Sequence, residues 1–120
     1  MKFRSKFEKE VYAQGIKYKR KLEYEPKDSR LDYNRPAKYL PDFKLPNGIL
    51  IECKGYFTSG DRSKMLYVKK AHPRLDIRFV FQRASNRLTK AKNSKTYSEW
   101  AEYHGFKWAE GTIPNKWWRE

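Results

Sequence analysis

The chain has one cysteine, Cys53, so no disulfide can form within it. A lone thiol also fits a reducing compartment. No stretch approaches the ~20 consecutive apolar residues of a membrane span. Met1-Lys2-Phe3-Arg4 leads into a polar segment rather than a secretion signal. Acids are scarce: 14 Asp and Glu stand against 28 Lys and Arg, giving a net charge of +14. That excess points to a polyanionic partner, and nucleic acid suits it better than a membrane surface. Aliphatic side chains are scarce too. Leu, Ile, Val and Phe make up 23 of 120 residues, close to the composition of disordered chains. Nine tyrosines and four tryptophans supply the missing apolar area. The length suits one domain spanning 1–120, with no repeat and no linker. A core this thin favours dimerisation.

The segment from Pro41 to Lys54 is the most informative. Tyr39–Leu45 and Ile49–Lys54 alternate in character and read as strands. Pro46-Asn47-Gly48 suits a three-residue hairpin loop, with Gly48 able to adopt the left-handed conformation. In that register Leu45 faces Ile49, Phe43 faces Ile51 and Asp42 faces Glu52. Directly opposed side chains stand about 5 Å apart at Cβ. Lys54, two residues beyond Glu52, points to the same face. Phe43, Leu45, Ile49, Ile51 and Cys53 then form a core face on which the Cys53 thiol is inert. Opposed carboxylates destabilise a hairpin, and Lys54 alone is an incomplete counter-charge. A divalent cation would complete it. Two carboxylates and an amine at this spacing are what metal-dependent phosphodiester chemistry requires.

The remaining elements can be placed around this hairpin. Ser5-Lys6-Phe7-Glu8 is a capping-box pattern opening a helix with Phe3, Phe7 and Val11 on its apolar stripe and Gly15 at its end. On the residues alone Glu8 belongs to that cap. Ile16–Tyr24 alternates and reads as a strand, and Glu25–Lys38 as a loop or bridge. After a turn at Gly55–Gly60, Ser59 or Asp61 caps a helix to about Ala71, which His72-Pro73 stops. Asp76–Phe81 follows as a strand with Ile77, Phe79 and Phe81 on one side. It runs parallel to Ile49–Lys54 through a crossover. Thr96 or Ser98 starts a third helix through Trp100 and Tyr103 to Gly105. Phe106–Ala109 is a last strand, and Ile113–Trp118 docks as an aromatic tail.

Basic residues cluster where no acid interrupts them: Arg83, Arg87, Lys90, Lys92 and Lys95 lie between Gln82 and Lys95. They are candidate phosphate contacts, as are Arg62 and Lys64 at the second helix start and Arg4 and Lys6 at the first. Trp100, Trp108, Trp117 and Trp118 are expected to pack rather than to stack on bases. His72 and His104 sit where helices end, and each suits a C-terminal cap with a partly positive imidazole.

These stretches together resemble a known family. Pro41-Asp42 with Glu52-Cys53-Lys54 is similar to the PD-(D/E)xK nuclease core. The resemblance to the phage-encoded endonuclease I family, the Holliday junction-resolving enzymes of T-odd coliphages, covers nearly the whole chain. It is carried by Phe3-Arg4-Ser5 with Glu8, Pro41-Asp42-Phe43 and Leu45-Pro46-Asn47-Gly48-Ile49. Glu52, Lys54-Gly55, Asp61-Arg62, His72-Pro73, Leu75-Asp76-Ile77-Arg78, Gly105 and Ile113-Pro114 continue it. The Glu25–Lys38 bridge departs from the family pattern. The resemblance implies a mixed α/β, restriction-endonuclease-like core, with a central mixed sheet flanked by helices, in an intertwined homodimer. It implies cleavage of four-way junctions or other branched DNA to 5′-phosphate and 3′-hydroxyl ends, with Mg2+ or Mn2+, in the cytoplasm of an infected bacterial host. Glu8, Asp42 and Glu52 would then be metal ligands, with the Cys53 backbone carbonyl, and Lys54 the amine beside the attacking water. Two other readings fit the same residues: a site-specific nicking or homing endonuclease, and a non-catalytic nucleic-acid-binding protein.

Overall fold

Leu50-Ile51-Glu52-Cys53-Lys54 and Ile77-Arg78-Phe79-Val80-Phe81 carry apolar side chains on both faces, the pattern of strands covered on two sides. The computed structural model describes residues 3–17, 23–24, 31–33 and 35–120, and places these two strands at the centre of a sheet. In chain order the elements are α1 (Lys6–Lys17), β1 (Glu23–Tyr24), β2 (Leu31–Tyr33), β3 (Arg35–Tyr39), β4 (Phe43–Lys44) and β5 (Leu50–Lys54). Then come α2 (Ser59–Ala71), β6 (Ile77–Phe81), α3 (Tyr97–Tyr103), β7 (Lys107–Glu110) and a 3-10 turn (Asn115–Arg119). The main sheet has five strands in the order β1-β4-β5-β6-β7. The β1–β4 and β4–β5 pairs are antiparallel, and β5, β6 and β7 run parallel. The architecture is therefore mixed α/β, a mixed sheet flanked by helices, as expected. The β5–α2–β6 crossover is also as expected.

The faces of β5 and β6 belong to two cores. Leu50, Ile77, Phe79 and Phe81 pack with Met65 and Val68 of α2 and Tyr97, Trp100 and Ala101 of α3. Ile51, Cys53 and Val80 pack with Phe7 and Val11 of α1 and with Ile113 and Trp117 near the 3-10 turn. Rings make up for the shortage of aliphatics. Phe57 packs against Phe79, Phe81, Tyr97 and Trp100 at centroid distances of 5.2, 5.6, 5.6 and 4.9 Å. Trp100 and Trp117 are buried, while Trp108 and Trp118 pack half-buried against the cores, so all four tryptophans are structural.

Several local expectations need correction. Gly15 does not end α1. The helix runs on through Ile16 to Lys17, because Gly15 is buried and keeps helical backbone. Of the strand expected over Ile16–Tyr24, Ile16 and Lys17 belong to α1 and Glu23–Tyr24 form β1, while residues 18–22 lie outside the described residues. The expected bridge contains β2 and β3, an antiparallel pair of its own, with residues 25–30 and 34 outside the described residues. Pro36 sits in that pair, where each strand has an unpaired edge that tolerates the missing N–H. Tyr39 accordingly belongs to β3, and β4 is limited to Phe43–Lys44. Neither Ser59 nor Asp61 is the N-cap of α2. Thr58 accepts the Asp61 N–H, and Asp61 returns the bond to the Thr58 N–H. The corresponding box at α3 is Thr96 with Glu99. His72 and His104 are both C-caps. However, burial and the nearby Lys69 and Lys95 charges lower the pKa of His104, so its ring is a neutral partner for Trp100, 4.6 Å away.

Candidate active site

The hairpin closes as its sequence dictates. Gly48 has φ 93° and donates its N–H to the Leu45 carbonyl, while the Leu45 N–H bonds Ile49 O, both at 2.9 Å. Asn47 ties the loop to the C-terminal turn by donating to Trp117 O at 2.7 Å. Phe43 pairs with Ile51, so the register that puts Asp42 across from Glu52 is the expected one. Asp42 itself lies at a bend just before β4 and outside the ladder. There its Oδ2 accepts the Cys53 N–H at 2.8 Å, taking the place of a backbone partner. Backbone groups alternate in direction along a strand. The Cys53 carbonyl therefore lies on the β4 side with its N–H, and the Lys54 carbonyl faces β6, where it accepts the Gln82 N–H.

Glu52 is 4 % exposed. Its Oε1 accepts the hydroxyl proton of Tyr39, and its Oε2 lies 4.0 Å from the Lys54 amine. The same amine is 3.7 Å from Asp61 Oδ1. Burial, and then the Glu52 charge, push Asp42 well above the usual carboxylate range, against the Cys53 N–H and Lys54. Burial also raises Glu52, although Lys54, Tyr39 and Lys64 pull the other way. Burial opposes the charge of Lys54, but Glu52, Asp61 and Asp42 outweigh it and raise its pKa. The amine therefore stays a cation at neutral pH. Burial and the surrounding acids push the Cys53 thiol well up, in keeping with an inert side chain.

A cavity of about 550 Å³ opens beside these groups, lined among others by Glu8, Asp42, Cys53, Lys54 and Gln82. Glu8 is thus brought to the site, 5 % exposed at the start of α1. At the helix start Ser5 accepts the Glu8 N–H at 3.1 Å, while the Glu8 carboxylate accepts the Ser5 hydroxyl at 3.4 Å and the Tyr24 hydroxyl at 3.0 Å. Among the described residues no three acids, imidazoles or thiols converge closely enough to hold one ion. Among the described residues, Asp42 and Glu52 are the acids that meet at the hairpin beside Lys54. Asp42 Oδ1 and Glu52 Oε2, the carboxylate oxygens not bonded to Cys53 N–H or Tyr39, and the Cys53 carbonyl are hard donors that fit Mg2+ or Mn2+. Burial makes both acids reluctant to ionise, with the Glu52 charge adding to it at Asp42, and a dication would reverse that.

The basic candidates divide into groups. Arg4 and Lys6 are exposed at the cavity. Arg62 is engaged in the fold, donating to Phe57 O at 2.9 Å, and Lys64 lies over the Tyr39 ring at 5.7 Å. Arg83, Arg87, Lys90, Lys92 and Lys95 are exposed on one ordered loop. That loop is closed by the Leu88 N–H to Lys95 O bond at 2.9 Å and the Arg87 Nη1 to Ser94 O bond at 2.7 Å. It starts next to Gln82, at the cavity. Tyr39, Asp61 and Gln82 were not assigned to the site from sequence. Asp61 carried a signal only as a helix-start acid; Tyr39 and Gln82 carried none.

The chain matches the phage endonuclease I family over residues 1–120. It is 42% identical over 118 residues to Endonuclease I of Escherichia phage T7, covering 96% of this chain and 74% of that relative. It is 41% identical over 112 residues to Endodeoxyribonuclease 1 of Enterobacteria phage T3, covering 91% of this chain and 69% of that one. With Asp42, Glu52 and Lys54 in place on the hairpin, this chain belongs to the phage endonuclease I family.

Proposed function

We propose that the protein is a divalent-cation-dependent DNA endonuclease that hydrolyses phosphodiester bonds in branched DNA, four-way junctions above all, leaving 5′-phosphate and 3′-hydroxyl ends. The observation that carries this reading is the buried Glu52 and half-buried Asp42 with the Lys54 cation beside them, Asp42 and Lys54 lining an open cavity. Acids repel phosphate, so a surface built purely to bind DNA gains nothing from burying two of them together. Asp42 Oδ1, Glu52 Oε2 and the Cys53 carbonyl would hold the ion, and Glu8 borders the same cavity. The chemistry supplied by a bound dication is charge neutralisation at the phosphate and a lowered pKa for water. Lys54, held as a cation, donates hydrogen bonds to the attacked phosphate and to the water beside it and takes no proton. The exposed loop from Arg83 to Lys95 grips the backbone of the DNA. Two copies in a homodimer would let paired strands be cut together.

The test is a cleavage assay on a labelled four-way junction beside a linear duplex of the same sequence, with magnesium and with EDTA. Cutting of the junction alone, and only with magnesium, is the expected result. Cutting of the duplex at one position would instead mark a site-specific nicking enzyme, and binding without cutting would overturn the catalytic reading.

A further inference from the structure

The chemistry assigned to Glu52 depends on which of its two oxygens faces Lys54. A carboxylate on a flexible side chain exchanges its oxygens freely unless something holds one of them. Here Tyr39 does so. It closes β3, is completely buried and donates its hydroxyl proton to Glu52 Oε1, 13 residues along the chain. Its ring cannot move aside easily, being enclosed in the core with Leu50, Phe57 and Met65 and overlain by the Lys64 amine at 5.7 Å. With Oε1 committed, Oε2 is turned to Lys54. We propose that Tyr39 is a positioning residue that fixes the Glu52 carboxylate in one rotamer, so that Oε2 alone is presented to the divalent cation. The β2–β3 pair thereby acts on the active site through its last residue. This inference rests on the reading of Glu52 as a metal ligand.

Outer-layer hydrogen bonds of this kind typically change metal affinity or activity by about 10–100-fold when removed. The experiment compares Mn2+ binding by calorimetry to the full-length wild type and to Tyr39→Phe, each checked by thermal melting. About tenfold weaker Mn2+ binding in a folded Tyr39→Phe protein is expected. With junction DNA, kcat should fall while KM stays level. Equal Mn2+ affinity in the two proteins would overturn the inference and leave the nuclease reading standing. No Mn2+ binding by the wild type would overturn the metal reading and the inference together. Should Tyr39→Phe fail to fold, the wild type decides alone. The buried Tyr39 hydroxyl proton should give an NMR resonance that moves on magnesium titration, and a resonance unmoved at saturating magnesium would overturn the inference.

Discussion

Glu52 and Lys54 stand two residues apart on β5, and their environments push them toward different tasks. Burial raises the pKa of the carboxyl, while neighbouring acids keep the amine charged. Removing either charge should stop the chemistry without removing the surface that grips DNA. Glu52→Gln keeps the shape and the Tyr39 bond but weakens an anionic ligand. Lys54→Ala removes the cation beside the phosphate. Each is expected to lower junction cleavage by at least about 100-fold, the scale of losing one preorganised electrostatic contact. Gel-shift affinity in calcium should stay within a few-fold of the wild type. Loss of junction binding in both variants would count against these roles. The residues of this pair were legible in the sequence because hairpin register is arithmetic: once Gly48 fixes the loop, Asp42 must face Glu52. Tyr39 was not legible. Its contact to Glu52 crosses from one sheet to another, and no periodicity records where a second sheet will sit.

Elements were legible in proportion to how much of their stability is local. α2 and α3 open with capping boxes, and β5 and β6 carry apolar residues on both faces, so sequence located them to within a residue or two. α1 outran its expected end: Gly15 is buried in helical backbone, and one glycine costs a helix only ~1 kcal/mol, too little to end it by itself. The hairpin loop offers a clean test of local control. Gly48 has φ 93° and a Cβ there would touch nothing within 4 Å, so Gly48→Ala probes backbone strain alone. A destabilisation of about 1–2 kcal/mol is expected from denaturant titration, and an unchanged midpoint would show that the turn relaxes. The end of the fold is held differently. Arg78, 2 % exposed, takes Asp76 at 2.7 and 2.8 Å and Glu120 at 2.8 and 2.9 Å, while stacking over Trp117 at 5.1 Å. Its hydrogen bonds lower the pKa of Asp76 and bring Glu120 to about 2. Depressed carboxylate pKa values mean stability present in full above the unfolded value, about 4.3 for glutamate, and lost as pH falls through the folded one. Glu120→Gln should therefore melt below the wild type at pH 6, with the difference closing toward pH 2. A gap independent of pH would refute the ionic account.

At the scale of the whole molecule the net charge of +14 has to be accommodated, and the fold places its cations unevenly. Some are structural: Arg78 is buried in ion pairs and Arg62 bonds the Phe57 carbonyl. Others are displayed, and among the described residues the loop from Arg83 to Lys95 carries five exposed cations and no acid. The loop is ordered by its own backbone bonds rather than by ion pairs, and Lys95 leans on the ring of Tyr103 at 5.0 Å, a residue 74 % exposed. A loop held in shape this way can meet a phosphate backbone without first breaking salt bridges. Each phosphate so neutralised releases counterions and adds about 0.9 to the slope of log affinity against log salt on duplex arms. Replacing Arg83, Arg87, Lys90, Lys92 and Lys95 with glutamine should thus reduce that slope by about 4.5 if all five make contact. The measurement is junction binding in calcium across a salt series, read beside the melting temperature. Lower affinity at low salt together with a shallower slope would place the loop on the DNA. A slope equal to that of the wild type would assign these five charges to solvation, and the search for the electrostatic footprint would move to Arg4 and Lys6 at the mouth of the cavity.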